Sequence, residues 1–503
     1  MILLVLDTVL AFFGLYLLKC ILTPRRPPLP PGPPPRPLIG NLLDMPSEKP
    51  WYTFREWGKK WGPITSVSVF GDTYVILNSV QDAIEMLDRR SAIYSDRPSI
   101  VTANLTGWNS TLVLTSYNDE RFRHIRTLFQ KAIGTPASMS QYYPVEERET
   151  HRFLQRLLKT PDDFVAHIRM TAGAIILRIS HGYQVQEEND QFVTLAEEAL
   201  EQFSIIVGGN FLVNLIPALQ YLPEWMPGAA FKRSARFWTR TLADTVNRPY
   251  NFLKEQMALG PAEVSVLSRM LQANPNIDSK TESTLKWAAA SMYGGGADTT
   301  VASVHAFFKA MIMYPDVQRK AQAEIDAVIG EDRLPTYADR DSLPYVNALA
   351  LEALRWHSVT PTSVPHRVTE DNIYKGYFIP KGSIVTANIW GMAHDPAIYH
   401  DPMVFNPARF LASPGHELEL DPRSIVFGFG RRICPGKVMA DASVFLSCAM
   451  TLAVFDISQH TDNERTLALD IEQTTGTISH PTPFKCTIRP RSEAALALIK
   501  DMS

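Results

Sequence analysis

Apolar and polar positions along this chain recur mostly with the period of a helix. One stretch stands apart: Ile2 to Leu22 is almost wholly apolar, with Asp7 and Lys19 towards its ends. A helix needs about 20 such residues to cross a bilayer. Two short alternating runs, Ile64–Phe70 and Tyr74–Leu77, flank Gly71-Asp72-Thr73 and predict a β-hairpin. Val80–Asp88 returns to helical spacing. Residues 91–118 are polar and irregular and predict a long loop, a feature that in a compact protein is often functional. From Glu120 to Phe410 helical spacing dominates, with turns at 134–136, 217–228 and 259–261. The segment from Trp287 to about Tyr314 reads as one long helix, although Gly294-Gly295-Gly296 lies inside it. Each interior glycine costs roughly 1 kcal/mol relative to alanine, so two helices broken by a loop are the alternative. A second strand pair is predicted at Tyr377–Ile379 and Ser383–Ala387, joined by Pro380-Lys381-Gly382. The expected fold is mainly α with a small, segregated β region, in one large unit.

The charges around the first apolar run set its role. A cleaved signal peptide carries positive charge before the run and small residues after it. Here Lys19, Arg25 and Arg26 follow it, so residues 1–23 read as an uncleaved, single-pass anchor. The excess of cations on its C-terminal side places the body in the cytosol, on the endoplasmic reticulum membrane. Residues 24–37 hold nine prolines in fourteen positions, which predicts a stiff, extended hinge. A disordered linker is the plain alternative. Residues 38–503 form the expected catalytic domain. The sequons at Asn104 and Asn109 face the cytosol in this topology and stay unmodified.

Composition narrows the function. With 49 basic and 52 acidic residues the net charge is −3, which gives no electrostatic footprint for nucleic acid. Four scattered cysteines in a long chain make no disulfide framework and point to a reducing compartment.

The densest chemistry lies in Phe427-Gly428-Phe429-Gly430-Arg431-Arg432-Ile433-Cys434-Pro435-Gly436. A lone cysteine is usually a small buried hydrophobe, and that reading suits Cys20, Cys448 and Cys486. Cys434 differs in its surroundings. Gly428 and Gly430 let the backbone approach a planar ligand closely. Arg432 offers a charged fork to a carboxylate. A haem fits, with Cys434 as the thiolate on iron and Arg432 on a propionate. A dinucleotide loop would need glycine where Ile433 stands, and a zinc site would need paired ligands that these cysteines do not make. Further along the chain, Asp298 and Thr299 follow the glycines directly. An acid beside a hydroxyl can relay protons into a dry pocket.

The spacing Phe-x-x-Gly-x-Arg-x-Cys-x-Gly resembles the haem-binding loop of the cytochrome P450 family. Gly295-Gly296-Ala297-Asp298-Thr299-Thr300 resembles that family's oxygen-activating motif. The resemblance implies haem b on Cys434, with Phe427 and Gly428 in the cofactor loop, Thr299 steadying dioxygen and Asp298 feeding protons. It also implies that Glu352 and Arg355 join Arg409 in a buried charge triad supporting the Cys434 loop. The same Glu-x-x-Arg tetrad recurs at Glu120–Arg123 and Glu149–Arg152, and Ala408 replaces the glutamate usual before the arginine. His366 and Arg126 match propionate contacts. Phe122 replaces a hydrogen-bonding residue usual on the same helix and cannot donate, and a solvated basic helix is the plain reading of that stretch. Thr474 to Cys486 looks most like fungal members that tailor secondary metabolites.

The implied activity is a monooxygenase drawing electrons from NADPH–cytochrome P450 reductase, since no flavin or nicotinamide motif appears. Arg123, Arg126, Lys131, Arg431, Arg432 and Lys437 would steer that partner. A haem-thiolate isomerase or dehydratase and a haem carrier or sensor remain as alternatives. Walls expected from the 100–117 loop, Phe203–Val207, Met292-Tyr293, Thr362–Val364 and Thr475–Ile478 mix apolar and hydroxyl groups. They imply a neutral, mostly apolar small molecule such as a terpenoid or polyketide, with an aromatic amine second.

Overall fold

The computed structural model describes residues 26–208, 211–415, 417–462, 465–466 and 471–501. The anchor expected at 1–23 lies outside them. Three helices make the centre: Thr299–Met313, Pro344–Trp356 and Lys437–Val454. Their side chains Val301, Phe307, Phe308, Val346, Leu349, Phe445, Leu446 and Leu452 are fully buried in one core. Each such group contributes about 1.5–3 kcal/mol by leaving water. Burial on all sides explains why Lys437–Val454 carries no polar stripe. Among the described residues it is the one helix long and apolar enough to span a membrane, yet 78% of it is inside the protein. Cys448 and Cys486 belong to this core, as expected.

Local signals set the helix starts. The Asp119 carboxylate accepts from the Arg121 amide at 2.8 Å and caps Glu120–Ile133. Asp278 does the same for Ser279–Gly296 through Thr281 at 2.8 Å. Proline opens Pro344–Trp356, where its missing N–H costs nothing.

The β region is small and set apart, as expected. Strands β1 (Ile64–Val69) and β2 (Asp72–Leu77) form the predicted hairpin. The second predicted pair does not exist. Instead β3 (His366–Arg367) and β6 (Ile384–Ala387) join the first sheet in the order β1-β2-β6-β3, with β2 and β6 parallel. Between them β4 (Asn372–Tyr374) and β5 (Tyr377–Ile379) make their own hairpin. Its turn residues Lys375 and Gly376 have φ of 48° and 80°. Positive φ at both positions gives the two-residue turn that matches strand twist, and it captures Tyr377–Ile379 first. Strands β7 (Phe455–Gln459) and β10 (Cys486–Pro490) pair near the C-terminus, and β8 (Thr461–Asp462) pairs with β9 (Arg465–Thr466).

Three more expectations change. The 91–118 segment is not a bare loop: it winds into Ser91–Tyr94, Val101–Thr106 and a turn at Trp108–Ser110, and Trp108 packs on Phe203 with ring centres 4.7 Å apart. The proline-rich segment is held on the body from Arg26 onward. Pro28, Pro30 and Pro31 carbonyls accept from the Phe378 amide, the Ser66 hydroxyl and the Ser66 amide. Finally, the glycine-rich helix is two helices. Gly294–Gly296 stay helical, and the break comes after them, at Ala297 and Asp298. A Cβ on Gly296 would press to 3.2 Å on Ile176, so the glycine admits a neighbouring helix.

Candidate active site

The Cys434 loop is closed by its own backbone. The Cys434 amide donates to the Phe427 carbonyl at 2.8 Å. Gly428 and Gly430 both have positive φ, 75° and 56°. A Cβ on Gly430 would lie 2.2 Å from the Leu87 carbonyl oxygen, so glycine is required for the loop to seat on the Ile84–Arg89 turn. Cys434 is half-buried. Burial pushes its thiol up, while the Gly436 amide, Arg126 and Lys437 pull it down. These three supply what a thiolate needs once it faces a metal cation.

Four cationic or basic groups converge beside the loop. Arg432 donates to the Ser95, Leu112 and Thr115 carbonyls at 2.7, 3.3 and 2.7 Å. Its guanidinium lies over the Phe122 ring, 4.0 Å from the centre. Phe122 therefore serves as a platform for Arg432, which accounts for an apolar residue at that place. Arg126 donates to the Ile433 carbonyl at 2.6 Å. His366 Nδ1 lies 2.7 Å from the Tyr94 carbonyl. A carbonyl only accepts, so that nitrogen carries the proton and Nε2 donates only in the imidazolium form. Burial, then Arg97, holds the ring well below its usual range.

Arg97 escaped the sequence reading. It is buried, and donates to the Val113, Val364 and Pro365 carbonyls at 2.9, 2.7 and 2.7 Å. Its signal was a lone arginine in Ser95-Asp96-Arg97-Pro98, inside the segment read as loop. Burial and Arg432 lower Arg97. Burial, with Arg126 adding repulsion, holds Arg432 at about 10.

No carboxylate lies within ion-pair distance of Arg97, Arg126 or Arg432 among the described residues. Carbonyl dipoles satisfy their donors, and the Asp96 charge offsets only part of the charge of Arg97 and Arg432. This donor set fits a haem, whose two propionates carry the missing negative charge beside a single thiol.

The acid–hydroxyl pair sits at the helix break. Thr299 Oγ1 donates to the Gly295 carbonyl at 2.7 Å. Asp298 Oδ1 lies 3.1 Å from His480 Nε2, a partner the sequence did not suggest. The Leu112 amide donates to Ser291 Oγ at 3.0 Å, so one residue links Arg432 to the glycine-rich helix. Of the expected pocket walls, Met292 and Tyr293 turn into the core instead, and Tyr293 donates to the Phe192 carbonyl at 3.0 Å.

Glu352, Arg355 and Arg409 do meet, with side chains 0%, 0% and 1% exposed. Glu419 fills the place that Ala408 leaves: its Oε2 accepts from Arg409 Nη1 at 2.5 Å. The two other tetrads serve elsewhere. Glu120 pairs with Lys280 at the surface, and Glu149 with Arg152 and Arg178. Arg123, Lys131, Arg431 and Lys437 are exposed, while Arg126 and Arg432 turn inward.

A family model described as Cytochrome P450 matches residues 30–488. The chain belongs to the cytochrome P450 family. Cytochrome P450 monooxygenase 208 of Postia placenta is 51% identical over 99% of this chain and 98% of that protein. Cytochrome P450 monooxygenase claR of Ampulloclitocybe clavipes is 47% identical over 98% and 92%. The O-methylsterigmatocystin oxidoreductase of Aspergillus flavus is 39% identical over 98% and 94%. As a P450 of this kind the chain is a haem-binding monooxygenase. The mainly α architecture with small sheets is the P450 fold. Of the three activities that the sequence left open, the P450 relatives favour the monooxygenase.

Proposed function

We propose that this P450 inserts one oxygen atom from dioxygen into a neutral, mostly apolar small molecule, as a tailoring step in fungal secondary metabolism, with a terpenoid or polyketide as substrate. The observation that carries the site reading is the cluster of buried Arg97 with half-buried Arg126 and Arg432, held by backbone carbonyls and without an ion pair among the described residues, beside the closed Cys434 loop. Cys434 is the thiolate ligand, Phe427 and Gly428 shape the loop, and Arg432 and Arg126 hold the propionates, with Arg97 beside them and His366 joining as the imidazolium that propionate charge favours. The haem supplies dioxygen activation at iron, favoured by the electron density of the thiolate. The remaining work falls to the chain. Thr299 Oγ holds a proton at the helix break, Asp298 hands protons inward, and the apolar walls keep bulk water out.

The substrate class rests on walls without clustered charge, and a relative named for O-methylsterigmatocystin, a small molecule, is in keeping with it. Electrons come from NADPH–cytochrome P450 reductase, docking on exposed Arg123, Lys131, Arg431 and Lys437. Residues 1–23 anchor the protein in the endoplasmic reticulum membrane with the body in the cytosol. Exposed Leu212, Ile216, Tyr221 and Trp225 add an apolar surface that a bilayer would accept.

Cys434→His tests the ligand. The reduced, CO-bound variant loses the red-shifted Soret band of thiolate ligation, and a variant that keeps it overturns the assignment. Isotope-labelled dioxygen tests the reaction with a panel of terpenes, polyketides and indoles. One labelled oxygen atom is expected in the product. Turnover confined to strongly polar, charged compounds removes the substrate reading.

A further inference from the structure

Asp298 occupies the residue before the first turn of the Thr299–Met313 helix, where aspartate is among the best caps. Asp119 and Asp278 hold the same position in their own helices, and both cap through their carboxylates. Asp298 makes no capping hydrogen bond. Its Oδ1 faces His480 Nε2 at 3.1 Å instead. Asp119 and Asp278 cap from extended backbone, at ψ of 128° and 161°, whereas Asp298 has ψ of −34°; its backbone turns the carboxylate away from the helix end, and His480 is the partner it meets.

The turn carrying His480 is clamped from several sides. The Thr474 amide donates to the His480 carbonyl at 2.8 Å, and the His480 amide donates to Thr474 Oγ1 at 2.9 Å. The Ser479 amide donates to the Val359 carbonyl at 2.8 Å, and His357 Nε2 lies 2.8 Å from the Ser479 carbonyl. The imidazole is therefore presented by a rigid turn, while Asp298 sits on a backbone break. A fixed donor facing a hinged carboxylate decides where the carboxylate points.

The charged neighbours agree with this direction. His305 and His357 are held neutral by burial, at about 3 and about 4, with His480 contributing to both shifts. Lys309 and Arg169 add positive charge nearby. Glu197, on the Gln191–Gly208 helix, is pushed up by burial, with Asp298 adding to the shift and Arg169 opposing it. Asp298 is thus drawn towards His480 and away from Glu197.

We infer that His480 is a positioning residue for the oxygenation step: it fixes the direction of the Asp298 carboxylate, turned towards the C-terminal turn and available for proton exchange. The inference rests on the reading that Asp298 delivers protons. Without His480 the carboxylate loses its fixed direction, and proton supply becomes slower than electron supply.

The test reconstitutes the full-length holoprotein with NADPH–cytochrome P450 reductase and follows NADPH and dioxygen consumption in ordinary and heavy water. No added substrate is needed, because NADPH, a proton and dioxygen give NADP⁺ and hydrogen peroxide, and twice the NADPH and protons give water. His480→Leu should slow NADPH consumption roughly tenfold, the scale of one lost hydrogen bond to a charged group, and enlarge the solvent isotope effect. His480→Gln, whose amide can donate to the same oxygen, should restore both. Asp298→Asn should show the same defect, with His480→Leu adding little on that background. The C–O stretch of the reduced, CO-bound protein should move in His480→Leu and return in His480→Gln. A His480→Leu protein with the original isotope effect and C–O stretch overturns the inference, as does a defect additive with Asp298→Asn. A His480→Leu protein that fails to fold leaves His480→Gln to decide: it must keep the isotope effect that Asp298→Asn alters. If Asp298→Asn itself changes neither rate nor isotope effect, proton delivery by Asp298 fails, and the inference fails with it.

Discussion

Glu352 is the residue whose loss should cost this protein most for the fewest atoms changed. Its carboxylate accepts from Arg355 Nε at 2.7 Å, Arg355 Nη2 at 2.8 Å, the Asn406 amide at 2.9 Å and Arg409 Nε at 3.1 Å. All three side chains of the triad are buried. Such a triad is weak evidence of net stability, because desolvation of the ions offsets their attraction. Breaking it is another matter: Glu352→Ala leaves Arg355 buried with no counter-charge and Arg409 with Glu419 alone, a loss of about 3–5 kcal/mol. Against a total stability on the order of 5–15 kcal/mol for a domain, that is a large fraction. Arg355 and Arg409 also hold the Ala393, Pro402, His400 and Val404 carbonyls, so the segment leading towards the Cys434 loop loses its anchor. Glu419→Gln removes charge from one end only and keeps an oxygen for Arg409, a loss of about 1–2 kcal/mol. The assay is the fraction of expressed protein showing the thiolate CO spectrum, together with thermal loss of that signal. Glu352→Ala should give almost no haem-loaded protein, Glu419→Gln should load haem and melt several degrees lower, and the variant combining both changes should be non-additive because both act on Arg409. A Glu352→Ala protein with full haem loading and an unchanged melting temperature would refute the reasoning.

Three further outcomes are expected. Thr299→Ala keeps NADPH consumption within about threefold, since electron transfer does not pass through the hydroxyl, but sends severalfold more of it to hydrogen peroxide; unchanged peroxide yield counts against its role. Lys437→Glu slows reduction by the reductase roughly two- to tenfold at low salt, and the difference shrinks as salt is added; stopped-flow reduction that ignores both salt and the variant removes the docking face. Glu146 is fully buried, accepts from Ser443 at 2.8 Å and is pushed up by burial to about 8 from an ordinary 4.5. The folded state therefore favours the protonated carboxyl, a contribution fully present below pH 4.5 and lost as pH rises through about 8. Glu146→Gln should stabilise the protein at pH 8 by a few kcal/mol, on the order of 1.4 kcal/mol per pH unit gained, and do little at pH 5; equal melting shifts at both pH values would show the carboxyl is not the cause.

What the chain disclosed in advance was what it stores contiguously. The Cys434 loop, Asp298-Thr299 and Glu352–Arg355 each need residues within a few positions of one another, so type and spacing carry them. The β-hairpin at Ile64–Leu77 was legible for the same reason. The second strand pair was not, because nothing in Ser383–Ala387 reveals that β2, some 310 positions away in sequence, offers a parallel edge. The helix break was foreshadowed by glycines but falls after them. Gly294–Gly296 remain helical, and the chain opens at Asp298, where a long-range partner holds the side chain. Glu419 and His480 are of the same kind: each acts on a motif residue from a segment with no motif of its own.

Arg97 shows the limit most clearly, and also why the site's charge was underestimated. Taken alone, it is one arginine in a polar stretch. Its meaning comes from meeting Arg432, brought from the far end of the chain, and His366, brought by β3. Burial and then Arg432 depress Arg97. Neither arginine has an ion-paired carboxylate among the described residues, because Asp96 spends one oxygen on the Ser116 hydroxyl and the Tyr117 amide, at 2.7 and 3.0 Å. Burying guanidiniums against neutral carbonyls satisfies hydrogen bonds without offsetting the loss of hydration. The Asp96 charge offsets part of that loss, and a bound dianion would offset the rest. Haem binding and folding of the segment from Ser95 to Tyr117 are in that way one equilibrium, governed by arginines that lie more than 300 positions apart and that only the fold brings together.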